Sequence, residues 1–363
     1  MHGTHRLRLN PARIQAEHPP SSNLDRRSGV VRLLAAWLLA GSTTVSACES
    51  NPVFNLRIDN DLFGGRGQDQ GYSNGFLASW RSPTLDADAT ACLPPTLRWA
   101  MDHLDGLPPG DGEEKNLVLS FGHALFTPED TQATELLPDD RPYAAALIVG
   151  VGINTRRGDR LRTTLLRLGM VGPSAKGESV QNGWHTIVGS DRARGWQHQL
   201  RDEPVFQLLH EQSRRLVRPP PGVLAWDAIV HWGLSVGNLS THANAGLEWR
   251  FGKQLPDDFG SDPLRPAGEN LAPSRAQSRG SGWSWHVFAT LDARRVAYNI
   301  ALDGNAWKDS HQVDKRPWVA DAGLGLALTH GAWKISFARF ERSREFEGQS
   351  SSQAYGSITI SRS

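Results

Sequence analysis

The chain has 363 residues, 39 Lys and Arg against 38 Asp and Glu, and a formal net charge of +1; that balance excludes the basic excess on which nucleic-acid binding rests. With 39% hydrophobic residues and a mean hydropathy of −0.43, no segment reaches the roughly 18 to 20 apolar residues of a membrane-spanning helix. Membrane strands stay compatible, because alternating apolar and polar residues average to such values.

In chain order, the first feature is a secretory layout. Arg26 and Arg27 precede a short apolar run, Leu33 to Ala40, and small residues ending in Val45-Ser46-Ala47, which predicts cleavage after Ala47. Residues 1–47 are set apart as a signal and 48–363 as one domain. The stretch before Arg26 is long for the basic region of a signal, which points to a start codon further along. Val45 to Cys48 also reads as a lipidation box on Cys48, and Cys48 and Cys92 can pair in an oxidising compartment.

From Val53 onward the period is two. In "WDAIVHWGLSVG", Trp226, Ala228, Val230, Trp232, Leu234 and Val236 share one face, and Asp227, His231 and Ser235 the other. "AGLEWRFG" sets Leu247, Trp249 and Phe251 against Glu248 and Arg250. Charges recur on nearly every run, which suits an antiparallel transmembrane β-barrel with lipid outside and polar side chains within. Twelve runs begin near 53, 72, 116, 142, 160, 204, 223, 241, 283, 316, 333 and 353, and an even number closes a barrel with both ends on one side. The 13 Trp suit interfacial belts. The stretches 81–115 and 253–282, rich in Pro, Gly and charge, read as exposed connections. Residues 170–203 differ: a helix is predicted at Glu178 to Val188 inside an extracellular loop, placed to cover a site.

Three segments carry candidate chemistry. Asp59-Asn60-Asp61 resembles the start of an EF-hand loop, but Phe63 and Gln70 occupy ligand positions five and twelve, so an EF-hand is rejected. A hard cation held by Asp61 and by amide or backbone oxygens stays open. "GYSNG", 71 to 75, fits G-x-S-x-G, yet a nucleophile elbow needs a helix after Ser73, and Phe76, Ala78 and Trp80 alternate as a strand. His185 shares its loop helix with Gln181 and Asn182, and Asp191 follows six residues on. His185 and Asp191 meet only if the helix ends near Gly189.

The ordered set "NDLF", "DQGYSNGF", "TPED", "DDRPYAA", "GMVGPSAKGESVQNGWHTIVGSDRARGWQHQL", "LEWRFGKQLPDDFG", "NIALDGNAWKDSHQVDK" and "REFEGQ" resembles the lipid A deacylase family of outer-membrane barrels. It spans nearly all of the chain after residue 47. The resemblance implies a twelve-stranded barrel in the outer membrane of a Gram-negative bacterium, acting on lipopolysaccharide among outer-membrane lipids, with a monomer expected. It implies calcium-dependent removal of the 3'-O-linked acyloxyacyl group of lipid A, at a site between the outer wall and a loop helix. Carried over by motif, His185 is the base on water, Asn60, Asp61 and Ser73 are calcium ligands, and Asp191, where the family has a Glu, orients His185 or joins the metal. Some members carry basic residues after "TP"; here that loop is acidic until Arg141. An outer-membrane phospholipase using Ser73, another acyl-ester hydrolase, or a non-catalytic pore or structural barrel are the alternatives.

Overall fold

The computed structural model describes residues 52–64, 71–85, 95, 98–99, 113–218, 224–261 and 282–363; the expected signal, Cys48 and Cys92 lie outside the described residues. Among these, twelve strands are present: β1 (Val53–Asn60), β2 (Gly71–Arg81), β3 (Glu114–Thr127), β4 (Ala144–Arg157), β5 (Arg160–Val171), β6 (Glu203–Arg215), β7 (Leu224–Gly237), β8 (Ser240–Lys253), β9 (Trp283–Asn299), β10 (Trp318–His330), β11 (Trp333–Arg342) and β12 (Gln353–Arg362). Each pairs antiparallel with its neighbour in sequence, and β1 closes on β12 from Phe54↔Arg362 to Asn60↔Gly356. Closure leaves no open sheet edge, which is what a strand-built membrane span requires.

The pleat sorts the side chains as the alternation predicts. On β7, Leu234 is 61% exposed on the outer face while Asp227 is fully buried within. Trp226, Trp249, Trp283, Trp285 and Trp333 are exposed near the strand ends on the side where β1 begins and β12 ends, forming an aromatic belt. Many of the inward charges are paired. Arg250 grips Asp227 with two bonds of 2.6 and 2.8 Å, and Arg342 donates to Asp321 at 2.7 Å. The planar guanidinium matches a carboxylate bidentately, so charge enters the interior compensated.

The stretch 253–282 departs from its reading as an exposed connection. Its first part, Leu255 to Ser261, folds back into the barrel at the end where β1 begins and β12 ends. Asp257 pairs with Arg156 of β4 at 2.7 Å and Arg215 of β6 at 2.6 Å. Asp258 pairs with Arg250 of β8, and with Lys334 of β11 at 3.2 Å. Ser261 bonds Glu248 at 2.7 Å and His286 at 2.8 Å. Phe259, fully buried, has the Arg156 and Arg215 guanidiniums each 5.4 Å from its ring centroid. One short segment thus ties walls on opposite sides of the lumen. Burial alone would raise both carboxyls, but the neighbouring cations hold Asp257 and Asp258 below the usual range. What hid this in the sequence is that Pro, Gly and Asp mark irregular backbone without saying whether it lies in water or among buried arginines.

The helices that bear on the site are α1 (Gly177–Val188), in the long loop between β5 and β6, and the short α2 (Ile300–Asp303) after β9. The predicted helix at Glu178 to Val188 therefore begins one residue earlier.

Candidate active site

The Asp59-Asn60-Asp61 run ends β1, and the pleat divides it. Asp59 follows Asn55 and Arg57 on the inner face; its carboxylate accepts from the Tyr72 hydroxyl at 2.9 Å and pairs with Arg57 at 3.2 Å. The Tyr72 ring reaches it across Gly75, where an added Cβ would fall 1.7 Å from the Tyr72 hydroxyl oxygen. Asn60 follows Leu56 and Ile58 on the outer face, yet is only 3% exposed. Asp61, buried, opens a 3-10 turn, Asp61–Gly64, packed against β11 and β12.

Ser73 sits at an irregularity of β2. Tyr72 pairs with Phe126 and Asn74 with Leu125, so Ser73 is the extra residue of a bulge, a device that re-aims a side chain. Its hydroxyl meets that of Thr127 on β3 at 2.5 Å, and its carbonyl accepts from Asn60 Nδ2 at 3.1 Å. The elbow reading of "GYSNG" fails on the same geometry, because β2 continues to Arg81 without a helix.

α1 lies on the outer wall beside these residues. Leu125 of β3 and Ala145 of β4 form one buried cluster with Tyr143, Ala175, Ala193 and Trp196. At Gly177 an added Cβ would stand 2.4 Å from the Trp196 ring and 2.6 Å from Ala145; glycine is what lets the helix start touch the wall. His123 Nε2 donates to the Ala175 carbonyl at 2.7 Å, and Gly172 N to the Ala145 carbonyl at 3.0 Å. The helix ends in the left-handed Gly189, whose N–H donates to the His185 carbonyl at 2.9 Å. The chain then doubles back, held by Trp196 Nε1 donating to Gln181 at 2.7 Å and Ala193 N to Asn182 at 3.0 Å.

That return brings Asp191 to His185 through its backbone. His185, 4% exposed, donates from Nδ1 to the Asp191 carbonyl, whereas the Asp191 side chain is exposed. The sequence expectation of an orienting or metal-binding carboxylate therefore differs from the observed contact. A ring that donates from Nδ1 carries its lone pair on Nε2 when neutral, which is the tautomer of a general base.

The oxygens at the ends of β1 to β3 suit a hard cation. Asn60, whose Nδ2 donates to the Ser73 carbonyl, carries an amide oxygen, and Asp61, Ser73 and Thr127 carry carboxylate and hydroxyl oxygens, all buried. Among the described residues no three His, Cys, Asp or Glu converge as a metal cluster. Calcium does not need that, because amide, hydroxyl and carbonyl oxygens serve it. Arg141, the first cation after the acidic loop, is buried between Phe126 and Phe346 and bonded to Glu345 at 2.6 Å, so its charge is spent inside the protein.

A closed barrel with an aromatic belt, a polar lumen and a histidine helix packed on its outer wall defines the class as an outer-membrane β-barrel. The family described as "Outer membrane protein LpxR" matches residues 32–363, and the chain belongs to that family. Among solved structures, LpxR from Salmonella typhimurium is similar with a TM-score of 0.68 at 18% identity, over 85% of this chain and 99% of that one. The β domain of the Bordetella autotransporter BrkA matches with a TM-score of 0.39 at 11% identity, over 86% and 98% of the two chains. No curated protein matches the sequence. The protein is accordingly an outer-membrane protein of Gram-negative type.

Proposed function

We propose that the chain is a calcium-dependent lipid A 3'-O-deacylase. The observation that carries this reading is the buried His185 on a helix laid against the outer wall, its Nδ1 occupied by the Asp191 carbonyl. A site on the outside of a barrel meets substrates that move in the membrane plane, and its depth near the strand ends is that of lipid headgroups and ester bonds. Family membership supplies the substrate class.

In the proposed reaction His185 Nε2 takes a proton from water, and the hydroxide attacks the acyl ester carbonyl. The tetrahedral intermediate collapses with its C–O bond to the sugar broken, and the leaving sugar oxygen takes the proton from His185 to become a hydroxyl, leaving the free acid. The Asp191 carbonyl keeps the ring in one tautomer and orientation. Asn60, Asp61, Ser73 and Thr127 would hold calcium, which when bound supplies positive charge opposite the developing oxyanion.

The alternatives fare worse on specific contacts. The Ser73 hydroxyl bonds Thr127 rather than a histidine, which disfavours a serine nucleophile. The segment crossing the lumen from β4 and β6 to β11 disfavours a pore.

The test is mass spectrometry of lipid A incubated with the refolded protein, with calcium or with chelator, beside His185→Ala. Loss of one acyloxyacyl mass, dependent on calcium and absent in the variant, is expected. An unchanged spectrum with well-folded wild type and calcium would overturn the reading.

A further inference from the structure

α1 leaves part of its apolar surface uncovered. Gly177, Gln181 and His185 are buried, whereas Val180 is 43% and Ile187 77% exposed. Val180, Trp184 and Ile187 follow the i, i+4, i+7 spacing that puts side chains on one helix face. The opposite flank carries Asn182, whose side-chain oxygen accepts from Ala193 N. The chain that follows is tied to the loop beyond the end of β3: Arg194 N donates to the Thr131 carbonyl at 2.9 Å, and Gln132 Nε2 to that of Arg192 at 3.1 Å. Asn182 therefore faces the loops past the strand ends. The stripe, about 140 to 200° round the helix from Asn182, faces back along the strands.

The outer face of β4 shows what the stripe looks toward. Ala145 is fully buried beneath Gly177, Leu147 packs at the rim of the same cluster, and Val149 is 47% exposed beside the exposed Leu168 of β5. At about 3.3 Å per residue, Val149 lies roughly 13 Å along the strand from Ala145. A helix about 10 Å across thus ends where the bare apolar wall begins. Membership of an outer-membrane family makes that wall a lipid interface, and the stripe continues it. The composition of the helix agrees. Glu178, Ser179 and Thr186, all exposed, lie on the Asn182 side, and the stripe holds two aliphatic residues and a Trp, the residue type enriched at membrane interfaces.

We propose that α1 is an immersed interfacial helix, with Val180, Trp184 and Ile187 in contact with the acyl chains of the leaflet around this end of the barrel. Its polar side stays at the headgroup surface. The occupant is lipid rather than a second copy of the chain, because the stripe runs into a wall whose other exposed apolar residues meet lipid. An amphipathic helix of this kind sinks about 5 to 10 Å into the boundary between headgroups and acyl chains. His185, next to Trp184 in the helix, is thereby held at the depth of acyl esters, and a lipid reaches it without being lifted from its leaflet. The contact follows from the placement of the barrel and stands whichever ester the site cleaves.

The experiment is power-saturation EPR of the refolded protein in phospholipid vesicles. With Cys48→Ser and Cys92→Ser in place, a nitroxide is attached to one new cysteine at a time: Ile187→Cys and Val180→Cys on the stripe, Val149→Cys on the bare wall, Ser179→Cys on the polar side. Oxygen concentrates among acyl chains and a nickel chelate in water, so the oxygen-to-nickel accessibility ratio at Ile187 and Val180 should match Val149 and exceed Ser179 by about tenfold. The emission that Trp184→Phe removes should be blue-shifted and quenched by lipids brominated on their acyl chains. Heat-modifiable gel migration reports an intact barrel; should a cysteine variant fail it, the Trp184 difference spectrum decides. Water-type accessibility at Ile187 and Val180, an unquenched Trp184, or dipolar broadening between labels on two copies would overturn the proposal. Lipid-type accessibility in a protein that leaves lipid A unchanged would uphold it and overturn the deacylase reading instead.

Discussion

Phe259→Ala should open the barrel without unfolding it. The ring is fully buried between two guanidiniums, each 5.4 Å from its centroid. Truncating a buried Phe costs about 3 to 5 kcal/mol, and the guanidinium–ring attractions lost with it fall in the range of about 0.5 to 2 kcal/mol each. These overlap, so about 4 kcal/mol is a fair sum. The described contacts of Leu255 to Ser261 with the wall come largely from side chains, whereas the barrel is held by twelve backbone ladders. The loss therefore falls on local release of the segment rather than on global stability. At about 1.4 kcal/mol per decade, the released population rises nearly a thousandfold. In planar bilayers, wild type should be electrically silent and Phe259→Ala should show openings, with an unchanged heat-modifiability midpoint. A wild type that conducts steadily, or a silent barrel after residues 255–261 are replaced by Gly and Ser, would refute the assignment of this segment as the closure of the lumen.

Four further outcomes are expected. His185→Ala should lower deacylation by about 10² to 10⁴, the usual weight of a general base, with circular dichroism unchanged. Asp191→Ala should retain activity within about threefold, because His185 meets the backbone carbonyl; a hundredfold loss would return the role to the carboxylate. Gly177→Val forces a Cβ against Trp196 and Ala145 and should cost about 1 to 3 kcal/mol of overpacking, seen as altered Trp fluorescence and lost deacylation in a barrel that still migrates as folded. Glu345 gives an acid limb: burial alone would raise its carboxyl, but Arg141 and Arg342 hold it at about 2. A depressed folded value means that its stabilisation is complete above the unfolded value of about 4.3 and fades as pH falls from there to about 2. Unfolding midpoints at pH 6, 4 and 2.5 should fall across that window, and fall less in Glu345→Gln, where the other depressed carboxylates still titrate.

The period of two decided most of the architecture before any coordinates. Side chains of a strand point alternately to its two faces, so Trp226 to Val236 sorted outward and Asp227, His231 and Ser235 inward without knowledge of their neighbours. The loop helix was legible for a similar local reason, its glycines marking both ends. Contacts between distant segments were not legible. That Ser73 is a bulge residue facing Thr127 depends on the register of β3. That Asp191 serves by its carbonyl depends on how the chain turns after Gly189 and is clasped by Gln181 and Asn182. That Leu255 to Ser261 fills the lumen depends on arginines of β4, β6 and β8, up to 101 residues away. Local pattern sets which way a side chain faces; only the closed barrel decides what it meets there, because each of those partners arrives from another strand.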